Sequence, residues 1–385
     1  MDWAFRHLAQ GPVKPLGLYV HIPFCAHKCS YCDFPSYEDA MPLRARYTDQ
    51  VIREIAGRGT ALGRAQADSV YIGGGTPSLM QPEQISAILA ALRRYFQLTP
   101  DCEISCEANP GMLSGRFLAA LALGGVNRLS LGAQSAEIPL LKTLDRRHSW
   151  EQVENAVSQI RQAGICNINI DLMLGIPGQT PAMWQHTLEA ALLLDIRHLS
   201  CYGLIVEEGT PLAGQIAQQK AALPEEEEER QMYAWTIERL SLAGFEQYEI
   251  SNFARQGCAC RHNLGCWKRH DYLGFGSAAH SLEEGLIRRA NPQAIDAYLA
   301  GEDAQVQVLG KQERMFESLM LGLRLTQGLD LEEFQAMHGE DFRSIYEGRA
   351  KASLEAGLAV FTDDKRFALT RKGMDVMNTV LLDFM

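Results

Sequence analysis

The sequence has little basic charge. Its 36 Lys and Arg residues are outnumbered by 47 Asp and Glu residues, and the formal net charge is -11 at pH 7. Binding to DNA or RNA is driven mainly by Lys and Arg side chains that contact phosphate groups. The charge balance therefore argues against a nucleic-acid partner.

Long apolar runs and a dense set of cysteines are missing as well. No uninterrupted apolar stretch is long enough to span a bilayer, and the N-terminus lacks a charged-then-apolar signal pattern. The 10 cysteines of this 385-residue chain are too sparse for a disulfide-stapled secreted scaffold. A P-loop and the G-x-S-x-G motif are also absent. These absences predict a cytoplasmic protein.

The N-terminal half alternates short apolar runs, typical of strands, with amphipathic stretches, typical of helices. Strict alternation predicts right-handed crossovers and an α/β fold with a parallel sheet. Six such units correspond to a partial (β/α)6 barrel of the TIM type rather than a closed eight-stranded one. The predicted strands are 17–21, 69–73, 103–107, 128–132, 167–173 and 198–204, and the predicted helices are 47–57, 82–96, 114–123, 150–163 and 181–194.

The alternation ends near residue 205, which predicts a second domain. We divide the chain into a short N-terminal extension (1–16), the partial barrel (17–222) and a smaller α+β domain (223–385). A proline and five glutamates at 224–229 predict a helix start, and 250–290 is predicted to be irregular. A hairpin of 358–361 and 366–370 predicts a winged-helix-like module over about 311–385. Because that module lacks a basic face, we expect it to pack or to bind a partner.

Each predicted strand ends in polar or glycine-rich residues. The carboxyl ends of parallel strands meet at one edge of the sheet, so these residues are expected to line one active-site mouth. By contrast, Cys102 and Cys106 share the opposite face of the third strand and are interpreted as small buried hydrophobic residues. Cys166 and Cys201 receive the same interpretation.

Three cysteines directly follow the first strand in a C-x3-C-x2-C loop: Cys25, Cys29 and Cys32. Thiolates this close are predicted to converge on one metal centre. A structural zinc or a complete four-cysteine cluster requires a fourth ligand, but Phe34 stands where a fourth cysteine is expected. Three thiolates therefore indicate a [4Fe–4S] cluster with one iron that the protein does not ligate. Surface or disulfide-bonded cysteines are the alternative.

Two further features support a ligand at this mouth. The glycines at 73–75 allow close backbone approach to a ligand, although such a string also suits any tight turn. Glu107 and Gln134 end two strands and are candidates for binding ligand hydroxyl groups, with an ion pair or a helix cap as the alternative. Arg146 and Asp171 add one charge of each sign.

The cysteine spacing, with Tyr31 before the third cysteine, resembles the radical S-adenosylmethionine (SAM) superfamily. The strings Gly73-Gly-Gly-Thr-Pro77, Glu107-Ala-Asn-Pro110 and Ile170-Asp171-Leu are similar to those of the oxygen-independent coproporphyrinogen III oxidase family. The resemblance implies that the open iron binds SAM. It also implies a SAM site lined by Tyr19, Gly74, Gly75, Thr76, Glu107, Gln134, Arg146 and Asp171, with His21 placed in the same site.

Two departures separate the chain from the oxidases of that family: Phe34 replaces a fourth cysteine, and only about sixteen residues precede the first strand. A further string, His262-Asn263-Leu-Gly-Cys266-Trp267, resembles the HNxxYW signature of the HemW haem chaperones, with Cys266 in place of the tyrosine. This resemblance implies a chaperone that binds haem near His262, Asn263 and Trp267. Oxidative decarboxylation of coproporphyrinogen III is the alternative function.

The resemblance also implies partners: acceptor haem proteins, which could include membrane respiratory enzymes, and the iron–sulfur assembly machinery. A homodimer is conceivable. His262 has an alternative role as a hydrogen-bonded residue that organises the domain junction. Cys258, Cys260 and Cys266 could form a second metal site or supply a thiolate for haem, with a structural role as the alternative.

Overall fold

The computed structural model describes residues 16–363 and 365–385. Residues 1–15, which make up most of the predicted N-terminal extension, lie outside the described residues. In the first half of the chain, six strands alternate with helices. The strands are β1 (Leu16–Ile22), β2 (Gln66–Gly74), β3 (Gln97–Ala108), β4 (Arg128–Gln134), β5 (Asn167–Leu174) and β6 (His198–Gly203). The helices are α1 (Arg44–Ala61), α2 (Pro82–Tyr95), α3 (Gly115–Leu123), α4 (Ile138–Thr143), α5 (Trp150–Gln162) and α6 (Pro181–Leu192).

The prediction of a parallel α/β sheet is confirmed. Strands β1 to β6 pair in parallel in sequence order. Each of the six predicted strands and five predicted helices corresponds to an observed element, whereas α4 was not predicted. Helix α4 has only six residues, too few to show a helical period.

The second half of the chain extends the same sheet. Its first part contains α7 (Pro211–Ala217), α8 (Glu226–Leu242), β7 (Glu246–Gln247), β8 (Asn252–Ala254), α9 (Arg261–Trp267), β9 (Asp271–Phe275), β10 (His280–Glu283), β11 (Ile287–Ala290), α10 (Ile295–Ala300) and β12 (Gln305–Val308). The strand order is β12-β11-β10-β9-β1-β2-β3-β4-β5-β6-β8-β7. Strand β9 runs parallel to β1, and β8 runs antiparallel to β6. Within the described residues, no pairing closes this sheet into a barrel.

The prediction that 250–290 is irregular is wrong. This region forms β8, α9, β9, β10 and β11, which are three to seven residues long. Elements this short carry no clear periodicity in the sequence. They are stabilised by pairing with distant strands, as β9 is by pairing with β1.

The two faces of the parallel sheet differ in polarity. The outer face contributes Leu18, Ile72, Ile104, Leu129 and Ile170 to the main hydrophobic core. The inner face carries polar side chains such as Ser105, Ser130, Asn169 and His198, which are also buried. The interior of this open barrel is therefore polar, unlike the apolar filling of a closed TIM barrel.

The C-terminal part has a separate core. It contains α11 (Lys311–Gly322), β13 (Leu329–Asp330), α12 (Leu331–His338), α13 (Phe342–Glu355), β14 (Ala359–Thr362), β15 (Arg366–Leu369), α14 (Arg371–Asp375) and α15 (Met377–Leu382). Strands β14 and β15 form the predicted hairpin, and β13 completes a three-stranded sheet. The main core includes Met232, Phe253 and Tyr298, so buried side chains do not separate at 222/223. That boundary stays a prediction.

Two smaller predictions can be compared with the structure. Cys102, Cys106 and Cys201 are buried as predicted, but Cys166 is exposed. Cys166 lies in the short connection between α5 and β5, outside the sheet. Within the described residues, no helix combines the length and the apolar character needed to cross a bilayer.

Candidate functional site

A cavity of about 560 Å³ opens at the carboxyl ends of β1 to β6. Pockets that bury small organic ligands commonly measure about 300–1,000 Å³. Most of the predicted site residues line this cavity, together with Phe34 and Tyr202: Cys25, Cys29, Cys32, Gly74, Gly75, Thr76, Glu107, Gln134, Arg146 and Asp171. Residues that are distant in sequence but follow neighbouring strands thus meet in one cavity.

The cysteine loop is held to its surroundings by backbone hydrogen bonds. Cys25 N donates to Tyr37 O at 3.1 Å, and Ser30 N donates to Leu144 O at 3.2 Å. Burial raises the pKa of the Cys32 thiol, and the nearby thiols of Cys29 and Cys25 add to this increase. All three cysteines line one cavity.

The placement of the three cysteines around one cavity is compatible with a cluster. Among the described residues, no three His, Cys, Asp or Glu side chains lie close enough to bind one metal ion. In an iron–sulfur cubane each thiolate binds a different iron atom, so the thiols are spaced more widely than around zinc. The loop is thus compatible with a [4Fe–4S] cluster.

The turn after β2 lies against the cysteine loop. Gly75 N donates to Ile22 O and Thr76 N donates to Phe24 O, both at 2.8 Å. A Cβ atom on Gly75 would lie 2.7 Å from Phe24 O and 3.1 Å from Cys25 Sγ. Contacts shorter than 3.0 Å require a shift of the surrounding atoms. Glycine is therefore required here, and its backbone edges the cavity.

Tyr19 and His21 lie behind this turn rather than in the cavity lining. His21 Nε2 lies 2.9 Å from Pro35 O, so it carries the proton and donates to that carbonyl. Nδ1 then accepts from Tyr19 OH at 2.9 Å. Burial lowers the pKa of His21, which keeps the imidazole neutral. A Cβ on Gly74 would lie 2.6 Å from this ring, so the His21 side chain packs directly against the turn.

Glu107 is fixed at the end of β3. It accepts hydrogen bonds from Tyr71 OH at 2.8 Å and from Gly74 N at 3.1 Å. Removal from bulk water raises the pKa of Glu107 to about 7, and the negative charge of Asp171 adds to this effect. The carboxyl group therefore changes charge near neutral pH, when no ligand is bound.

This shift predicts a pH dependence of stability. The ordinary pKa of glutamate is 4.5, so between pH 4.5 and 7 the folded protein binds a proton that the unfolded chain has lost. The resulting stabilisation is complete below pH 4.5 and is lost as the pH rises through 7. We expect Glu107→Gln to gain about 1–2 kcal/mol relative to the wild type between pH 5 and 8, less than the full shift because the carboxyl group faces the cavity. Urea unfolding of cluster-free protein measures this difference.

The exposed Glu83 provides the control for this experiment. We expect Glu83→Gln to follow the wild-type pH profile. A Glu107→Gln profile parallel to that of the wild type would show that Glu107 is already ionised at pH 5.

Gln134 lies where β4 departs from regular pairing. The register between β4 and β5 shifts between Gly132 and Gln134, and Gln134 has a φ of 63°. Such a backbone is unusual for a non-glycine residue and is often found at functional sites. Gln134 Oε1 accepts from Tyr202 OH at 2.8 Å, so the side chain is held at the rim.

Arg146 and Asp171 bring opposite charges to the cavity. Arg146 Nη2 donates to Gly132 O at 3.3 Å, whereas its buried Nε has no partner among the described residues. Asp171 accepts from Ser130 Oγ at 3.0 Å and from Asn169 Nδ2 at 2.7 Å. The unpaired Nε of Arg146 and the carboxylates of Glu107 and Asp171 suit a ligand that carries both charges, as the amino-acid part of SAM does.

The residues of the HNxxYW-like string line two different cavities. The His262 ring is buried and stacks on Tyr71, with the ring centroids 5.4 Å apart. The adjoining cavity measures only about 20 Å³, far less than the ~300–1,000 Å³ of pockets that bury an organic ligand. Asn263 and Trp267 instead line a second, larger cavity. Cys258, Cys260 and Cys266 form no metal-binding group with other described residues.

Several polar residues inside the sheet were not predicted from the sequence. Arg128, Ser130, Asn169, Ser200 and Tyr71 line the second cavity. The signal for four of them was present, since polar residues recur at alternate positions in the first half of β4, β5 and β6: Arg128 and Ser130, Asn167 and Asn169, His198 and Ser200.

Comparisons with known proteins agree with this architecture. The model of the Radical SAM superfamily matches residues 19–191, and that of the HemN C-terminal domain matches residues 309–376. The chain is similar to the solved structure of coproporphyrinogen III oxidase (HemN) from Escherichia coli, a radical SAM enzyme, with a TM-score of 0.83 and 25% identity. That match covers 98% of this chain and 91% of the HemN chain.

Two curated relatives align over nearly the whole chain. Heme chaperone HemW of Mycobacterium tuberculosis is 36% identical, with 97% of this chain and 96% of the relative covered. Heme chaperone HemW of Bacillus subtilis is 34% identical, with 95% and 98% covered. The open parallel sheet and its three-cysteine loop thus define a radical SAM protein with a HemN-type C-terminal domain. Within this class, the chain belongs to the HemW family.

Proposed function

We propose that this protein is a haem chaperone, which binds haem and transfers it to acceptor haem proteins. The observation that carries the proposal is the relationship to HemW proteins over nearly the full length of the chain. Phe34 supports it, because this exposed side chain stands where the oxidases have a fourth cysteine.

We further propose that Cys25, Cys29 and Cys32 hold a [4Fe–4S] cluster and that SAM binds beside it. A cluster of this kind with SAM supplies one-electron chemistry. Support comes from the shared cavity, the close glycine turn and the partnerless Nε of Arg146. The proposed SAM residues are Tyr19, His21, Gly74, Gly75, Thr76, Glu107, Gln134, Arg146 and Asp171, of which Tyr19 and His21 act by positioning Gly74.

The proposed setting follows from the same family relationship. Acceptor haem proteins, including membrane respiratory enzymes, would receive the haem, and the iron–sulfur assembly machinery would supply the cluster. A cytoplasmic location, the absence of a nucleic-acid partner and a homodimer complete the proposal.

Oxygen-independent coproporphyrinogen III oxidase is the second candidate function. The similarity to the HemN structure and the intact cofactor cavity favour it. A protein that only carries haem has no obvious need for a SAM site.

An anaerobic experiment separates the two candidates. The cluster is reconstituted, and haem is added to one sample, while coproporphyrinogen III, SAM and a reductant are added to another. We expect a stable haem spectrum and no protoporphyrinogen. Conversion of coproporphyrinogen III would make the protein an oxidase and contradict the chaperone proposal.

His262 as a haem ligand stays a prediction, and the structure offers a competing packing role. Because its ring is stacked and buried, we expect His262→Ala to leave the haem spectrum unchanged and to lower the free energy of unfolding by about 1–3 kcal/mol. Haem titration and urea unfolding measure the two effects. A shifted Soret band would instead identify His262 as a ligand. His280→Ala, which replaces an exposed histidine, is the matched control.

A further inference from the structure

The second cavity, which we name the Arg128 chamber, lies inside the sheet behind the cofactor cavity. Its volume is about 270 Å³, and its lining includes Arg128 on β4, Asn263 and Trp267 on α9, and Arg324. Ser130, Asp171 and Tyr202 belong to the linings of both cavities. The chamber is thus adjacent to the proposed SAM site but is built largely from other residues.

Arg128 is a buried cation without a direct partner. Its side chain is 2% exposed. Within the described residues, its guanidinium group forms no hydrogen bond or ion pair, and Nε is buried and unsatisfied. Burial alone would lower the pKa of Arg128, but the surrounding acidic groups raise it on balance, so the group stays charged. A buried charge without a hydrogen-bonded partner is costly, and such groups are normally paired.

The carboxylates around Arg128 are engaged by other donors. Glu103, whose charge raises the pKa of Arg128, accepts a hydrogen bond from Arg261 N at 2.9 Å. Asp171 accepts hydrogen bonds from Ser130 and Asn169, as described above. Glu249 accepts from Ser251 N at 3.0 Å and pairs with Arg324 at 3.4 Å. These acids therefore reduce the local positive charge without binding Arg128 directly.

The chamber also has more free donors than free acceptors. Trp267 Nε1 and Arg324 Nε are buried and have no partner among the described residues, and both groups can only donate. The guanidinium carbon of Arg324 lies 4.4 Å from the centre of the Trp267 ring, so the two side chains are held together. Asn252 Oδ1 is the one acceptor of the described lining that is buried without a partner. A ligand that fits this chamber must supply acceptor oxygens.

We propose that the Arg128 chamber is a carboxylate-binding subsite that receives a carboxylate arm of the tetrapyrrole cargo. Arg128 binds the carboxylate through its planar fork of N–H donors, a geometry that matches a carboxylate in a bidentate pair. The chamber is smaller than the ~300–1,000 Å³ of pockets that bury a whole organic ligand, so it holds a propionate arm and excludes the macrocycle. This inference rests on the proposed haem-binding function. It adds the group of haem that is recognised and the residue that recognises it.

A two-by-two binding experiment tests the contact between Arg128 and a propionate. The full-length, cluster-reconstituted wild type and Arg128→Met are each titrated with haem and with haem dimethyl ester, whose propionates carry no charge. We expect Arg128→Met to weaken haem binding roughly tenfold to a hundredfold, the range for a hydrogen-bonded charged pair. The affinity for the ester is expected to be nearly the same in both proteins. An equal loss for both ligands, or no loss for either, overturns the proposal.

Two variants protect this test against folding artefacts. Replacing a buried unpaired arginine by an apolar residue of similar length is often tolerated, and circular dichroism with urea unfolding checks this. Arg128→Lys keeps the charge but loses the planar fork, so a smaller loss specific to haem is expected. Arg53→Met, at an exposed position of α1, is the matched control and is expected to bind both ligands like the wild type.

A calorimetric titration with sodium propanoate separates failure of this inference from failure of the proposed function. Saturable propanoate binding that is lost in Arg128→Met supports the subsite even if the wild type binds no haem. If propanoate binds but haem and its dimethyl ester bind equally well, the chamber binds a free carboxylate. That result overturns the tetrapyrrole assignment. If neither ligand responds to Arg128→Met, the chamber contains only water and the inference is wrong.

Discussion

Cys32→Ala is expected to reduce cluster-bound iron to background. Each protein thiolate of a [4Fe–4S] cluster ligates its own iron, and the loop offers no fourth thiol, since Phe34 stands at the position of a fourth cysteine. Cys32 is only partly buried, so the loss is expected without global unfolding. Iron and acid-labile sulfide per chain, measured after anaerobic reconstitution, give the result together with the visible absorbance of the cluster.

Cys166→Ala is the matched control for this prediction. Cys166 is an exposed free cysteine that directly precedes β5, at the end of the strand opposite to the cofactor cavity. We expect Cys166→Ala to bind as much iron as the wild type. Retention of the full cluster by Cys32→Ala would exclude Cys32 as a ligand and contradict the proposed three-cysteine site.

Gly74→Ala is expected to weaken SAM binding at least tenfold. Gly74 has a φ of 112°, a conformation that an L side chain rarely adopts. Its Cβ would also lie 2.6 Å from the His21 ring, which is held between Tyr19 and Pro35 and cannot easily move. The turn must therefore shift, and with it the backbone of Gly75 and Thr76 at the cavity edge. Calorimetric titration with SAM under anaerobic conditions measures the affinity.

Gly164→Ala separates backbone strain from the steric effect. Gly164 also has a positive φ of 88°, but no atom lies within 4 Å of its added Cβ. We expect both variants to lose about 1–2 kcal/mol of unfolding free energy from the left-handed backbone, with a further loss of about 1–3 kcal/mol for Gly74→Ala from the clash. Only Gly74→Ala is expected to lose SAM affinity. Equal SAM affinities of the two variants would show that the glycine turn does not contact the ligand.

The part of the site at the strand ends could be predicted because its rule is local. A residue that directly follows a strand of a parallel sheet must lie at the carboxyl edge, whatever the rest of the chain does. This rule brought Cys25, Gly75, Glu107, Gln134 and Asp171 to one cavity. Tyr19 and His21 were placed in the same site, but their exact role required coordinates, because the hydrogen bond to Pro35 sets the tautomer of His21.

The role of α9 could not be predicted, because it depends on distant contacts. His262 stacks on Tyr71, which lies 191 residues earlier in the chain, whereas Trp267 contacts Arg324. The local sequence shows one contiguous string and gives no indication that its members face different cavities. The seven-residue helix turns His262 and Trp267 in different directions, while β9 pairs with β1 and α9 packs against β2, both far away in the sequence.

The sequence by itself therefore determined the alternating α/β architecture, the three-cysteine loop and the polar strand ends, because periodicity and spacing are properties of short segments. Only the tertiary structure decided that β9 joins the sheet beside β1, that the main core extends beyond residue 222, and that Arg128 lines a chamber without a partner among the described residues. Each of these depends on which distant groups come together. A buried arginine is recognised as unpaired only when all of its neighbours are known.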